Sequence, residues 1–302
     1  MALLDRAIVR VLPTVPKPLV KRLSRRYIAG SELADACDVV RRLNAAGASA
    51  TLDVLGEESA SREDAEALLE AYEQVLEVIE REALDANVSV KPTGFGLKLD
   101  LDLCRENLER LVRAAAERGN FVRIDMEDSS TTSETLDLYR DLRAAGLDNV
   151  GVVLQSVLRR TLDDVAALAD LRPNVRVCKG IYVEPADLAY QGYDTVRFNF
   201  VEAIGALLDA GAYVAVATHD DWVIAEALRL LDEREVPGDR YEFQMLLGVR
   251  EELGSELVRE GHRLRIYVPY GRQWYEYSLR RLQENPKIAG YVALDTLRRL
   301  KP

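Results

Sequence analysis

An eightfold alternation of two hydrophobic periods constrains this chain more than any other feature. Short runs rich in β-branched and apolar residues occur at Ala50–Leu55, Val88–Lys91, Phe121–Met126, Val150–Gln155, Val175–Lys179, Tyr213–His219, Tyr241–Leu246 and Leu264–Val268. Segments of helical period lie between them. In Glu63–Ala83 the residues Ala67, Leu68, Ala71, Val75, Val78 and Ile79 form an apolar stripe. Ser133–Ala145 opens on Thr132, Ser133 and Glu134, which suit a helix start, and Gly146 suits its end. Strands alternating with helices imply parallel βαβ units. Gly47, Gly119, Gly146, Gly211 and Gly261 each stand between a helical segment and the next strand, where they fit helix C-caps. Eight such units over about 250 residues predict an α/β fold, a (β/α)8 TIM-like barrel with N-terminal helices. A doubly wound open sheet is the alternative. The lack of a Gly-x-Gly-x-x-Gly turn after the first strand counts against it.

No Pro-, Gly- or Ser-rich linker divides the repeats, so residues 49–302 read as one catalytic barrel domain. Residues 1–48 read as a helical arm, broken by Pro13, Pro16 and Pro18. The 302-residue chain has a net charge of -11, unevenly spread. Residues 1–26 carry seven Lys or Arg against Asp5 alone, about +6, which leaves about -17 for the rest. An acidic body argues against nucleic acid as a partner, since that binding depends on neutralising phosphates. The basic arm, with its interspersed apolar residues, suits peripheral contact with an anionic membrane face. A solvated helical cap is the alternative. Three cysteines without a CxxC motif suggest neither a disulfide framework nor a zinc site, and fit a reducing, cytoplasmic compartment. The apolar runs are too short for a transmembrane helix, and the N-terminus lacks the pattern of a signal peptide.

A barrel enzyme builds its active site at the carboxyl ends of its strands. In this chain those ends are polar one after another. Lys91 ends the second strand, and Asp125 the third, with Glu127 and Asp128 just beyond. Gln155 follows on the fourth strand, Arg176 and Lys179 on the fifth, Thr218 and His219 on the sixth, Gln244 on the seventh and Tyr267 on the eighth. Lys179 alone would suit Schiff-base chemistry, as in a flavin-free barrel lyase. His219 reads as a hydrogen-bonding residue rather than a metal ligand, and no metal site is expected. Cys178 reads as packing. His262 reads as structural, on the opposite rim. Beyond the last strand Tyr277, Arg280, Arg281 and Glu284 are spaced 3, 1 and 3 and fall on one helix face. Two adjacent guanidinium forks suit a carboxylate ligand. In a non-catalytic barrel the same pair would sense an amino acid.

Seven segments together carry a family resemblance. VKPTGFGLKLD (90–100), VRIDMED (122–128), VVLQ (152–155), RVCKGIYVEP (176–185), ATHD (217–220), EFQMLLG (242–248) and RIYVPYGRQWYEYSLRRL (265–282) resemble proline dehydrogenase. The resemblance is to the monofunctional bacterial form and to the matching domain of the bifunctional proline-utilisation enzymes. It implies a distorted form of the (β/α)8 barrel and oxidation of L-proline to Δ1-pyrroline-5-carboxylate, the first step of proline catabolism. The cofactor it implies is FAD, with FMN left open, and the electron acceptor a membrane quinone. By position it implies that Arg280, Arg281 and Lys91 hold the substrate carboxylate and that Asp125 pairs with Lys91. Tyr277 would pack on the proline ring, and Tyr182, Tyr267 and Glu284 would complete the pocket. Met126, Gln155, Arg176, Lys179, Gly180, Thr218, His219 and Gln244 would line the flavin, with Asp125 and Arg176 as catalytic residues. Ile181 and Cys178 stand where the family usually has Ala and Val. The acids after the first strand, Glu57 and then Glu58, are expected to close over the pocket by meeting the arginine pair.

Overall fold

A computed structural model describes residues 26–56, 58–275 and Ser278. Most of the expected N-terminal arm lies outside these residues, as do Glu57, Tyr277, Arg280, Arg281 and Glu284. Eight strands form a closed, all-parallel barrel in sequence order. They are β1 (Ser49–Val54), β2 (Ala86–Val90), β3 (Val122–Ile124), β4 (Val150–Gln155), β5 (Asn174–Cys178), β6 (Tyr213–Ala217), β7 (Tyr241–Leu246) and β8 (Leu264–Tyr270). Helix α1 (Leu33–Ala45) precedes the barrel. The helices α2 (Arg62–Arg81), α3 (Leu101–Glu117), α4 (Thr132–Ala144), α5 (Thr161–Leu168), α6 (Tyr193–Asp209), α7 (Asp221–Glu233) and α8 (Glu251–Arg259) follow the first seven strands in turn.

All eight expected strands are present, but their ends move. The strands β2, β3, β5 and β6 stop one or two residues earlier than the apolar runs suggest, so Lys91, Asp125, Lys179, Thr218 and His219 stand just past them. The strand β8 runs on to Tyr270 because it pairs with the whole of β1, from Ser49↔Arg265 to Val54↔Tyr270. Pro269 has no N–H to give that ladder, but its carbonyl accepts from Ala29 N at 3.0 Å.

The expected C-cap glycines all have positive φ, from +62° at Gly119 to +88° at Gly261. Ala83 and Glu235 close α2 and α7 in the same left-handed conformation, where no glycine marks the end. The apolar stripe of α2 is rotated from its expected place. Ala65, Leu69, Tyr72, Val75, Leu76 and Ile79 are buried, whereas Ala67 is exposed. Tyr72 belongs to the buried face, and its hydroxyl reaches the strands and donates to the Ser89 carbonyl at 2.6 Å.

Strand residues alternate between two environments. Leu52, Val88, Ile124, Val152, Val177, Val216, Phe243 and Ile266 join the helices in one hydrophobic core. Barrel interiors of this kind are commonly filled with branched apolar side chains. Here buried polar groups bond one another instead. Thr51 meets Asn87 at 2.6 Å, Arg265 pairs with Glu242 at 3.0 Å, and Arg176 pairs with Asp125 at 2.6 Å. A buried charge is costly unless paired and hydrogen-bonded, and this need shapes the interior. Arg123 donates to the Val152 and Asn174 carbonyls at 3.0 and 2.7 Å and to the Asn174 side chain. Burial pushes its guanidinium down to about 9. Among the described residues, no helix is long and apolar enough to cross a membrane.

Candidate active site

A cavity of about 720 Å³ opens at the carboxyl ends of the strands, within the range of small-molecule sites. Lys91, Asp125, Met126, Gln155, Arg176, Lys179, Gly180, Tyr182, Thr218, His219, Gln244 and Tyr267 all line it. Every site residue named from the sequence that falls within the described region therefore lines this one cavity. Cys178 lines it as well, although the sequence suggested plain packing, and burial pushes its thiol up to about 11. His262 is elsewhere, beside the Tyr241 hydroxyl at 2.8 Å on the opposite side of the barrel.

The first group of charges is anchored by β1, β2 and β5. Lys91 Nζ lies 2.7 Å from Asp53 Oδ1. The sequence placed Lys91 on Asp125; the structure corrects this. Asp53 points its carboxylate to the end of β2, while Asp125 is taken by other donors. Asp125 Oδ1 accepts from Arg176 Nη1 at 2.6 Å and the Ser89 hydroxyl at 2.7 Å, and Oδ2 accepts from the Tyr267 hydroxyl at 3.1 Å. Tyr267 joins the two ion pairs, since Lys91 Nζ is also 3.5 Å from its oxygen. Burial works against the Lys91 ammonium, but the carboxylates of Asp53 and Asp125 outweigh it and hold its pKa above the ordinary lysine value. Lys91 thus presents a fixed positive charge and not a base. The guanidinium of Arg176 lies over the Tyr267 ring, 5.4 Å from its centroid.

The second group sits across the cavity on β5, β6 and α6. Lys179 donates to Asp220, which also accepts from the Tyr193 hydroxyl at 2.7 Å and Arg197 Nη2 at 3.0 Å. Asp220 caps α7 as well, accepting from Trp222 N at 3.1 Å. Burial opposes its charge, but Lys179 and Tyr193 win, and the carboxyl is held well below its usual range. An amine paired with such a carboxylate is a poor Schiff-base nucleophile, which weakens the lyase alternative. The Lys179 ammonium lies 4.6 Å from the Tyr193 ring centroid.

Neutral donors complete the wall. Gln155 Nε2 donates to the Glu127 carbonyl at 2.6 Å and the Met126 carbonyl at 3.3 Å, tying the β3 loop to β4. Gly180 has φ +93°, and a Cβ there would lie 2.6 Å from Gln155 Oε1. His219 Nε2 accepts from Leu246 N at 3.0 Å, which puts the proton of the neutral ring on Nδ1. Glu127 is bound to Thr93 N and Oγ1 at 2.9 and 2.6 Å; burial nonetheless raises its pKa. Among the described residues no group of three or more His, Cys, Asp or Glu is placed to hold a metal. Glu58, the second expected lid acid, meets Lys98 at 3.0 Å, while Glu57 lies outside the described residues.

Sequence reasoning missed Asp53, Asp220, Tyr193 and Arg197 as members of these clusters. Asp220 carried a signal, since it stands in the ATHD segment at a helix start, but its N-cap role masked its pairing with Lys179. Asp53 lies inside an apolar run and nothing local marks its partner.

Comparison with known proteins identifies the family of the whole chain. The proline dehydrogenase family model matches residues 36–293. Proline dehydrogenase 1 of Bacillus subtilis (strain 168) is 38% identical over 276 residues, 91% of each chain. The proline dehydrogenase of Deinococcus radiodurans is 37% identical over 300 residues, 95% of this chain and 97% of that one. The fold is similar to that of proline utilization A from Bdellovibrio bacteriovorus. That likeness has a TM-score of 0.83 at 23% identity and covers 92% of this chain but 36% of that longer one. With the family model spanning most of the sequence and curated relatives matched nearly end to end, this chain belongs to the proline dehydrogenase family.

Proposed function

We propose that this chain oxidises L-proline to Δ1-pyrroline-5-carboxylate with a bound flavin and passes the electrons to a membrane quinone. The observation that carries the reading is the pair of ion pairs, Lys91–Asp53 and Arg176–Asp125, joined by Tyr267 at the wall of one cavity. Together they present fixed cations to an anionic substrate and a cofactor in a site partly shielded from water.

The residues present suit a flavin by the chemistry of their donor set. Arg176 and Lys179 are cations, Gln155 and Gln244 amides, Thr218 a hydroxyl and His219 an imidazole, and Met126 offers an apolar face. Such a set matches a ring with carbonyl and nitrogen acceptors joined to phosphate. Gly180 leaves the backbone clear beside Gln155. The flavin supplies the two-electron acceptor for a C–H bond, which no side chain does. FAD is our assignment, with FMN as the alternative.

In this reading Lys91 meets the proline carboxylate together with Arg280 and Arg281, and Asp53 keeps the Lys91 ammonium charged and aimed. Asp125 holds Arg176 still, so that its charge stands at a fixed place beside the flavin. Tyr182, Tyr267, Tyr277 and Glu284 enclose the ring. Residues 49–302 are the catalytic barrel, and residues 1–48 an arm whose first 26 residues contact the inner face of the cell membrane. The protein itself is cytoplasmic.

A visible spectrum of the purified protein tests the reading. We expect a flavin spectrum that bleaches on anaerobic addition of L-proline and returns with a soluble quinone, with the product trapped by o-aminobenzaldehyde. Chromatography of the released cofactor separates FAD from FMN. A protein that binds neither flavin, or a bound flavin that proline does not reduce, refutes it.

A further inference from the structure

We propose that Glu242 is a positioning residue for the reaction centre: buried behind the cavity wall, it sets the amide of Gln244 and through it the guanidinium of Arg176. The proposal deepens the proline-oxidation reading and rests on it for the role of Arg176.

Glu242 is 3% exposed and does not line the cavity. Its Oε1 accepts from Gln244 Nε2 at 2.6 Å and from Arg265 Nε at 3.0 Å, and its Oε2 lies 3.1 Å from the same Nε. With its nitrogen committed to Glu242, Gln244 turns Oε1 to Arg176 and accepts from Nε at 2.5 Å. Arg176 then aims Nη1 at Asp125, at 2.6 Å, and at the Ser89 hydroxyl, at 3.2 Å. A carboxylate only accepts and a guanidinium only donates, so an amide bonded to both has a single permitted orientation. Glu242 is the acceptor that imposes it. If Gln244 turned over, its NH2 would face the Arg176 N–H, donor against donor, and Arg176 would lose one of its fixed contacts. Glu242 is also held as the anion. Burial favours the neutral acid, but the charge of Arg265 and the bonds from Arg265 and Gln244 outweigh it. Arg265 neutralises that charge from the far side, its Nη1 anchored on the Ala50 carbonyl at 2.7 Å. Glu242 also favours the nearby Arg123 cation.

Glu242→Met in the flavin-loaded enzyme tests this. The thioether keeps much of the side chain's bulk but takes away the acceptor, so Gln244 Nε2 loses the partner that holds it and the amide is free to turn over. The expected result is flavin reduction at saturating proline slowed about tenfold to a hundredfold, as for the loss of one charge-assisted hydrogen bond. The flavin midpoint potential should become more negative, because Arg176 no longer stands in its fixed place. A loss of stability alone would lower Tm and leave that potential unmoved. Adding Arg265→Met to Glu242→Met removes the guanidinium left buried without its carboxylate. The double variant should recover Tm but neither rate nor potential, and it reads the same question should Glu242→Met fail to fold. The proposal is overturned by a wild-type rate and potential in either variant. A wild-type flavin that proline does not reduce sinks the proline reading instead, and the potentials still decide the role of Glu242.

Discussion

Replacing Asp53 by Asn isolates the charge that holds Lys91. The two groups are 2.7 Å apart; Asp53 is wholly buried, while the Lys91 side chain is 28% exposed. At an effective dielectric constant of about 20 the gross attraction is ~6 kcal/mol, against which the desolvation of both ions must be set. Removing one partner of a buried pair typically costs about 3–5 kcal/mol, and the partial exposure of Lys91 places this case at roughly 2–3 kcal/mol. Asn keeps the size of the side chain and an oxygen for Lys91 and the Tyr72 hydroxyl, so the change reports the charge. The pH dependence follows from Lys91, whose pKa is raised above its ordinary 10.5 in the folded protein. Stability from a raised lysine is complete below the unfolded value and is lost only as pH climbs through the folded one. Guanidinium denaturation should therefore show the same deficit at about pH 7 and about pH 9. KM for proline should rise as Lys91 loses its aim. Lys91→Met combined with Asp53→Asn and, separately, with Asp125→Asn completes two double-mutant cycles, and the coupling to Asp53 should exceed the coupling to Asp125. A deficit under about 0.5 kcal/mol, or a larger coupling to Asp125, would refute the reasoning.

Three further outcomes are expected. Arg280→Ala and Arg281→Ala should each raise KM for proline about tenfold to a hundredfold with the flavin retained, as for a lost charge-assisted contact; near-normal kinetics in both would remove the arginine clamp. Gly180→Ala forces a side chain to φ +93° and to 2.6 Å from both Gln155 Oε1 and Val157 Cγ1. It should cost roughly 2–4 kcal/mol and lower flavin content, read by thermal unfolding and absorbance, and unchanged values of both would contradict the close packing. Deletion of residues 1–26 should abolish salt-sensitive co-sedimentation with anionic liposomes, at about 1 kcal/mol per basic residue; equal sedimentation of both forms would end the membrane role of the arm.

The wall of the candidate site was largely legible in the sequence. Hydrophobic period is local, so eight apolar runs and their intervening helices can be read off the chain, and eight parallel units in succession suggest closure. Once the strands are placed, the polar residue at each carboxyl end falls on the rim by connectivity alone. That is why Lys91, Asp125, Gln155, Arg176, Lys179, Thr218, His219, Gln244 and Tyr267 could be named together, and why they line one cavity. The motifs of the family resemblance sharpened the roles, marked the same positions and added Met126, Gly180 and Tyr182, which line the same cavity.

The partners of those residues were decided only by the tertiary structure. Lys91 chose Asp53, 38 positions away on β1, over Asp125, and Lys179 chose Asp220, 41 positions away. The buried face of α2 includes Tyr72, whose hydroxyl meets the Ser89 carbonyl. The run from Arg265 through Glu242, Gln244 and Arg176 to Asp125 draws on three strands and the residue that follows β3. The alternation of polar residues within each strand is visible in one dimension, but the choice of acceptor for each donor is not. A hydrogen bond or ion pair is set by separation within a few ångströms, and that separation depends on the register and closure of the barrel. Local sequence therefore decides which face of a strand a residue occupies, and packing decides which charge it meets.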